Sequence, residues 1–73
     1  MTSLAGFSGQ EVMKKLKRIG YVAVRQKGSH VRIVHDDKFR RRITLPMHKE
    51  IGVGLLKQIL KDVGLDQETF LDL

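Results

Sequence analysis

Two strand-like runs separated by Gly28-Ser29 constrain the fold of this chain more than any other feature. Tyr21–Lys27 precedes the dipeptide and His30–His35 follows it, and both runs contain several β-branched residues. A glycine followed by serine between two such runs is typical of a type II′ hairpin turn. We therefore predict two antiparallel strands in which Lys27 lies opposite His30.

This pairing sorts the side chains of the hairpin onto two faces. Two positions further from the turn than the Lys27–His30 pair, Arg25 lies opposite Arg32, and Val24 then lies opposite Ile33. Successive side chains of a strand point to opposite faces. The predicted cationic face, which carries a histidine, comprises Arg25, Lys27, His30 and Arg32. The predicted apolar face comprises Val22, Val24, Val31 and Ile33.

The sequence before the hairpin predicts a helix. Ser8 and Glu11 form an S-x-x-E capping box, in which each side chain satisfies the backbone N–H of the other residue. Val12, Leu16 and Ile19 then repeat at i, i+4 and i+7 as one apolar stripe. Four cations on the other faces are interpreted as a solvated surface: Lys14, Lys15, Lys17 and Arg18.

The sequence after the hairpin predicts a third strand and a second helix. The strand covers Arg40–Leu45 and ends at Pro46, which cannot donate to a ladder. The helix covers Val53–Val63, and Gly64 follows it as a C′ residue. Asp66 is expected to cap a short last turn. The apolar stripe of the helix comprises Leu55, Leu56, Ile59, Leu60 and Val63.

The predicted order is helix, three antiparallel strands, helix, which is an α+β fold in one domain of 73 residues. Both helices must cover the apolar face of the sheet, because nothing else in the chain can bury it. The cationic face is then left open to solvent or to a partner. The chain has no cysteine, so neither a disulfide nor a cysteine zinc site supports the core.

The net charge of +6 favours a polyanionic partner. Nucleic acid is favoured over a membrane, because no apolar run approaches the ~20 residues of a spanning helix. Met1–Phe7 lacks the charged and apolar regions of a signal peptide, so we expect a cytoplasmic protein without a membrane partner. Aromatic residues are few and scattered, which argues against a module that reads single-stranded bases by stacking.

His30 is the candidate for chemistry. An imidazole titrates near pH ~6.5 and can act as a base at neutral pH. RNA carries its own nucleophile, the 2′-hydroxyl, so a nuclease needs only a base for that proton and cations to offset the phosphate charge. The cations beside His30 in the pairing are suited to that second task. The pattern alone leaves open a hairpin residue that only hydrogen-bonds near the turn.

The other polar candidates are weaker. His35 points to the face opposite His30, so the two cannot share a metal in a regular strand, and no other spacing suggests a metal site. His48, in the connector after Pro46, is interpreted as an exposed loop residue. The run Arg40–Arg42 is interpreted either as phosphate-contacting or as an edge-strand run that blocks strand addition. No second acid for a nuclease is obvious.

Four segments of the chain resemble HicA-type toxins, also described as the YcfA-like family. They are Gly20-Tyr21, the R-Q-K-G-S-H segment Arg25–His30, the P-M-H-K-E-I segment Pro46–Ile51 and the G-L-L-K-Q-I-L-K-D-V-G-L segment Gly54–Leu65. The hairpin and the tail in this order and size are specific together, although each alone would be weak. The chain departs from the family at the start of the second helix, where Gly54-Leu55-Leu56 replaces the usual Gly-Thr-Leu and Val53 replaces a common proline.

The resemblance implies an mRNA interferase, the toxin of a type II toxin–antitoxin system. Such a protein is a metal-independent endoribonuclease without a cofactor, on a fold like that of double-stranded-RNA-binding domains, and a HicB-type antitoxin neutralises it. The family's catalytic histidine falls on His30. The residues expected to contact mRNA around it are Arg25, Lys27, Gly28, Ser29, Arg32 and Arg42.

Two other functions stay open at the level of sequence. One is a non-catalytic RNA-binding module of the same fold, in which His30 contacts a phosphate or a 2′-hydroxyl. The other is a protein-interaction domain whose basic face serves only an acidic partner. Cleavage of RNA in the presence of a chelator distinguishes the enzyme from the RNA-binding module. The absence of any RNA binding at low salt favours the protein-interaction domain.

Overall fold

The computed structural model describes residues 3–73, so Met1 and Thr2, which the one-domain prediction includes, lie outside the described residues. The elements follow the order α1 (Gly9–Lys17), β1 (Val22–Lys27), β2 (His30–Val34), β3 (Ile43–Pro46), α2 (Val53–Val63) and α3 (Gln67–Asp72). The three strands form one antiparallel sheet in the order β1-β2-β3. The predicted α+β fold, similar to double-stranded-RNA-binding domains, is confirmed.

Local signals set the start of α1, the end of α2 and the start of the short α3. The Glu11 N–H donates to the Ser8 hydroxyl at 3.1 Å, and the Ser8 N–H donates to the Glu11 carboxylate at 3.0 Å, so the capping box is confirmed. Helix α2 has the predicted bounds and ends in Gly64, whose φ of 75° is left-handed. The short last turn expected after Asp66 is α3, and the Asp66 carboxylate accepts the Thr69 N–H at 2.7 Å.

Lys15 differs from the other cations of α1, which are exposed as predicted. Its Nζ donates to the Leu73 carbonyl at 2.8 Å, and it lies 5.5 Å from the centre of the Phe70 ring. The Phe70 ring is fully buried and meets the edge of Phe7 with ring centres 5.2 Å apart. The solvated role predicted for Lys15 is therefore wrong, because this side chain joins the end of α3 to α1.

The predicted apolar stripe of α2 is right except at its first position. Leu55 is 47% exposed, and Val53 before it is 39% exposed. Leu55 falls at the edge of the arc that faces the core, so the side chains that follow it fill that arc without it. The buried members of the stripe are Leu56, Ile59, Leu60 and Val63.

Strand β3 begins at Ile43, three residues later than predicted, because the residues before it make other contacts. The Arg40 guanidinium donates to the Val63 carbonyl at 2.7 Å and so caps the C-terminal end of α2. The Tyr21 hydroxyl donates to the Arg41 carbonyl at 2.8 Å. Burial raises the pKa of Tyr21 above its ordinary 10.0, which keeps the hydroxyl protonated as a donor.

The hairpin turn has the predicted geometry. Gly28 has a φ of 59°, and no non-glycine residue within residues 3–73 has a positive φ, so Ser29 does not. A positive φ at the first central residue alone is the pattern of a type II′ turn. The predicted pairs Lys27–His30 and Arg25–Arg32 are both present.

Beyond these pairs the register of β1 departs from the prediction. It shifts between Ala23 and Arg25, so that Ala23 instead of Val24 lies opposite Ile33. Val24 is the extra residue of a β-bulge. Because the bulge reverses the alternation, Val22 pairs with Val34 on the open face, and Val22 is 57% exposed.

The helices cover only part of the sheet. Both α1 and α2 pack against β3, and the inward side chains of β2 and β3 are buried. Every residue of β1 is exposed, so this edge strand extends beyond the helices. The prediction that the helices cover the whole apolar face is therefore right for β2 and β3 and wrong for β1. The buried residues of the sheet are Val31, Ile33, Ile43, Leu45 and Pro46.

Candidate functional site

The open face of the sheet brings polar side chains together in rows across the strands. The first row contains Lys27 and His30, with the buried Pro46 as the β3 partner of His30, and the second comprises Arg25, Arg32 and Thr44. Directly opposed residues of antiparallel strands have Cβ atoms about 4.5–5.5 Å apart. The His30 imidazole is therefore beside one cation and one row away from two more, on a surface that no helix covers.

A depression of about 650 Å³ follows these rows. Pockets that bind small ligands span about 300–1,000 Å³, so a nucleotide is within its capacity. Six of the seven residues proposed from sequence line it, and Thr44 completes its wall. The lining comprises Arg25, Lys27, Gly28, Ser29, His30, Arg32 and Thr44.

Arg42 is the proposed RNA-contacting residue that lies apart from this depression. It is exposed in the segment before β3 and lines a second depression of about 530 Å³. That depression is rich in cations from the loop between β2 and β3. It is also lined by Val34, which pairs with Val22 at the end of the sheet away from the hairpin turn. Arg42 can therefore contact a ligand that extends along the face, but it is not beside His30.

His48 is a neighbour of His30 that the sequence interpretation missed. The centres of the two imidazole rings are 6.2 Å apart, and the rings are inclined at 71°. Both residues are exposed. A signal for this proximity exists in the register, because Pro46 lies opposite His30 and His48 follows it by two residues.

Backbone contacts on both sides of His48 fix its position. The Met47 N–H donates to the Ser29 carbonyl at 2.6 Å, and the Gly9 N–H donates to the His48 carbonyl at 2.9 Å. Gly9 permits this approach because it has no side chain. A Cβ added there would meet the Pro46 carbonyl oxygen and come within 2.7 Å of the Met47 Cα. The start of α1 thus holds the connector against the hairpin turn.

His35 has a structural role away from this face. The Asp37 N–H donates to its Nδ1 at 2.9 Å, so Nε2 carries the proton and donates to the Ile19 carbonyl at 2.6 Å. Its ring also packs against Tyr21 with centres 5.0 Å apart. These contacts join the end of β2 to the segment after α1 and leave no free nitrogen for catalysis.

The described part of the chain contains neither a cluster of metal-ligand side chains nor a helix suited to a membrane. Among residues 3–73, no three side chains of His, Cys, Asp or Glu are grouped as metal ligands would be. No helix in the same range combines the length and the apolar composition that crossing a membrane requires.

Comparison with known proteins assigns most of the chain to one family. A family model described as the HicA toxin of bacterial toxin–antitoxin systems matches residues 9–65 of the 73-residue chain. The chain belongs to the HicA toxin family. The match spans the hairpin that carries His30, the connector that carries His48 and helix α2. A comparison with curated proteins gave no match.

Membership in the HicA family assigns the chain its biological class. It is a toxin of a toxin–antitoxin system, and an antitoxin is its partner. The resemblance noted from sequence is thereby confirmed. The open face with His30 and its cations lies within the residues that the family model matches.

Proposed function

We propose that this toxin is an endoribonuclease that cleaves mRNA, with His30 as its catalytic residue and a HicB-type antitoxin as its inhibitor. The observation that supports this most is the position of His30 on the uncovered sheet face, among Arg25, Lys27 and Arg32. A titratable imidazole next to fixed cations matches the needs of phosphodiester cleavage. A family whose members are toxins supplies the biological setting.

The proposed reaction uses the nucleophile of the substrate. The His30 imidazole accepts the proton of a ribose 2′-hydroxyl, and the 2′-oxygen attacks the adjacent phosphorus. Such a base typically accelerates a reaction about 10²–10⁴-fold. The P–O5′ bond breaks, which leaves a 2′,3′-cyclic phosphate and a 5′-hydroxyl end. A substrate with deoxyribose at the cleavage site lacks this nucleophile and is not cut.

The cations of the two rows bind and stabilise the phosphate. Negative charge grows on the phosphate oxygens as the 2′-oxygen attacks, and donors placed there in advance lower the barrier. The Arg25 and Arg32 guanidinium groups can each donate two parallel hydrogen bonds to a phosphate. These contacts recognise the RNA backbone and not a base sequence. Arg42 is proposed to contact a phosphate further along the strand.

The antitoxin is proposed to cover the same face. Two valines extend the cationic surface with apolar area, because Val22 and Val34 pair on the open face and Val22 is 57% exposed. A partner that pairs acidic groups with the cations and packs on these valines would block access to His30. Since mRNA is the proposed substrate, the proposed place of action is the cytoplasm.

The deciding experiment incubates the purified toxin with a single-stranded RNA in EDTA. We expect the wild-type chain to cleave it, and the His30→Ala variant to cleave it at least about 10²-fold more slowly. Lys17→Ala, which removes an exposed cation of α1, is the control and should cleave normally. Circular dichroism verifies that all three are folded. Undiminished cleavage by His30→Ala would overturn the proposal, and tight binding without cleavage would make the chain a non-catalytic RNA-binding module.

A further inference from the structure

We propose that His48 is a second catalytic residue, the general acid that protonates the leaving 5′-oxygen. This inference rests on the proposed ribonuclease activity and extends it. Its basis is the pair of exposed imidazole rings with centres 6.2 Å apart. When a scissile phosphate lies between two such rings, one ring can accept the 2′-hydroxyl proton and the other can donate a proton to the 5′-oxygen.

The two histidines line different depressions, and the centres of their rings are 6.2 Å apart. His30 lines the larger depression on the open sheet face. His48 lines a smaller one of about 210 Å³ beside the start of α1, and Lys49 stands next to it. An RNA backbone that passes from one depression into the other crosses the histidine pair, with cations before and after it.

The chemistry of the site requires a second proton-transfer group. An alkoxide is a poor leaving group. A residue that protonates the 5′-oxygen as the P–O5′ bond breaks therefore lowers the barrier. The best acid has a pKa near the operating pH, which suits an imidazolium. An ammonium, with an ordinary pKa of about 10.4, gives up its proton far less readily. His48 therefore fits the role better than Lys27, the residue opposite His30.

The proton balance of the step is complete. The proton of the 2′-hydroxyl passes to His30 as the O2′–P bond forms. The proton of the His48 imidazolium passes to O5′ as the P–O5′ bond breaks. His30 ends as imidazolium and His48 as imidazole, and exchange with water restores both before the next cycle. No metal, cofactor or second reactant takes part.

The position of His48 depends on its backbone, so its side chain can be removed without loss of the fold. The hydrogen bonds that hold the connector involve the Met47 N–H and the His48 carbonyl, and both persist in an alanine variant. The imidazole is exposed and contributes nothing to the buried core. An effect of His48→Ala on cleavage can then be read as an effect on chemistry.

The test replaces the leaving oxygen with sulfur. Wild type, His30→Ala and His48→Ala are each given ordinary RNA and the same RNA with a 5′-bridging sulfur at one cleavage site. A thiolate leaves without being protonated, so an acid becomes unnecessary. On ordinary RNA we expect His48→Ala to lose about 10²-fold or more. On the sulfur substrate it should recover to within a few fold of wild type, whereas His30→Ala should stay slow.

The pH dependence provides a second readout. A base and an acid acting together give wild type a bell-shaped profile of kcat/KM. His48→Ala should lose the alkaline fall of this profile and keep the acidic one. Glu50→Ala, a change in the same exposed connector, is the matched control and should keep the wild-type rate and profile.

The outcomes separate this inference from the proposed function. If wild type does not cleave RNA, the ribonuclease proposal itself is wrong. If wild type cleaves and His30→Ala does not, but His48→Ala is as active as wild type, only the role of His48 is overturned. Equal losses by His48→Ala on oxygen and sulfur substrates would also overturn it, since they would indicate a binding or structural effect.

Discussion

At the scale of single residues, Gly28 meets a backbone requirement on which the site depends. Its φ of 59° allows the two-residue turn that places Lys27 opposite His30. A Cβ at this position would meet nothing within 4 Å. The cost of a side chain there is therefore conformational and not steric.

We expect Gly28→Ala to lower the free energy of unfolding by about 1–3 kcal/mol, because alanine is strained at this φ. Gly54→Ala is the matched control. Gly54 has no positive φ, also has open space for a Cβ, and lies in helix α2, where alanine is preferred by up to about 1 kcal/mol. Denaturant unfolding followed by circular dichroism should give changes of opposite sign, and a stabilising Gly28→Ala would contradict the turn assignment.

At the scale of elements, helix α1 depends on its N-terminal cap. Hydrogen bonds from the Ser8 backbone N–H and then from its hydroxyl lower the pKa of Glu11 below its ordinary 4.5. Asp66 has a similar role at α3, where the Thr69 N–H lowers its pKa below 3.8. A carboxyl group whose pKa is lower in the folded state adds stability above its unfolded pKa. This contribution disappears as the pH falls through the folded value.

We expect Ser8→Ala to cost about 1 kcal/mol at pH 7, because one N–H at the start of α1 loses its acceptor. The wild-type chain should lose stability as the pH falls below about 4.5, and the variant should lose less over the same range. Part of the loss should persist in the variant, since the backbone N–H of residue 8 still donates to Glu11 and Asp66 is unchanged. Chemical denaturation between pH 7 and pH 3 measures the free energy of unfolding of both chains. Parallel curves of this free energy against pH would contradict this account of the cap.

At the scale of the whole molecule, the net charge of +6 and its placement govern RNA binding. Three of the cations stand on the open face beside His30, and α1 carries others away from it. Cations near phosphates release counterions when RNA binds, so affinity falls as salt rises. The field of the whole protein attracts RNA, and the cations of the face orient it.

We expect the association constant for single-stranded RNA to fall with salt with a log–log slope of about −3, from the four proposed phosphate contacts of Arg25, Lys27, Arg32 and Arg42 at about 0.7 each. Arg32→Gln should make this slope less steep by about 0.7. Lys17→Gln on α1 should leave the slope unchanged while removing the same charge. Fluorescence anisotropy measures the binding, and the His30→Ala change is added to each chain so that the RNA is not cleaved. Equal slopes for Arg32→Gln and Lys17→Gln would exclude a specific role for the open face.

How far the sequence predicts the structure depends on the range of the interactions involved. Helix α2 has its predicted bounds because its stripe and its terminal Gly64 act over one or two turns. The turn at Gly28-Ser29 is equally local, and the pairing next to it follows. The bulge at Val24 was not predictable from the alternation of side chains between the two faces. A bulge leaves no mark in the composition of a strand, yet it reverses the faces of the residues beyond it.

The sequence by itself determined which helices and strands form, the hairpin turn and the cations of the hairpin around His30. Each of these follows from contacts between residues close in the chain. Only the tertiary structure decided the rest. It made Lys15 and Arg40 into helix-end contacts, left β1 uncovered and brought His48 beside His30. The last outcome depends on how α1 docks on the connector after β3, where Gly9 allows close backbone contact. All of them arise from packing between distant segments, which is not encoded in any local pattern.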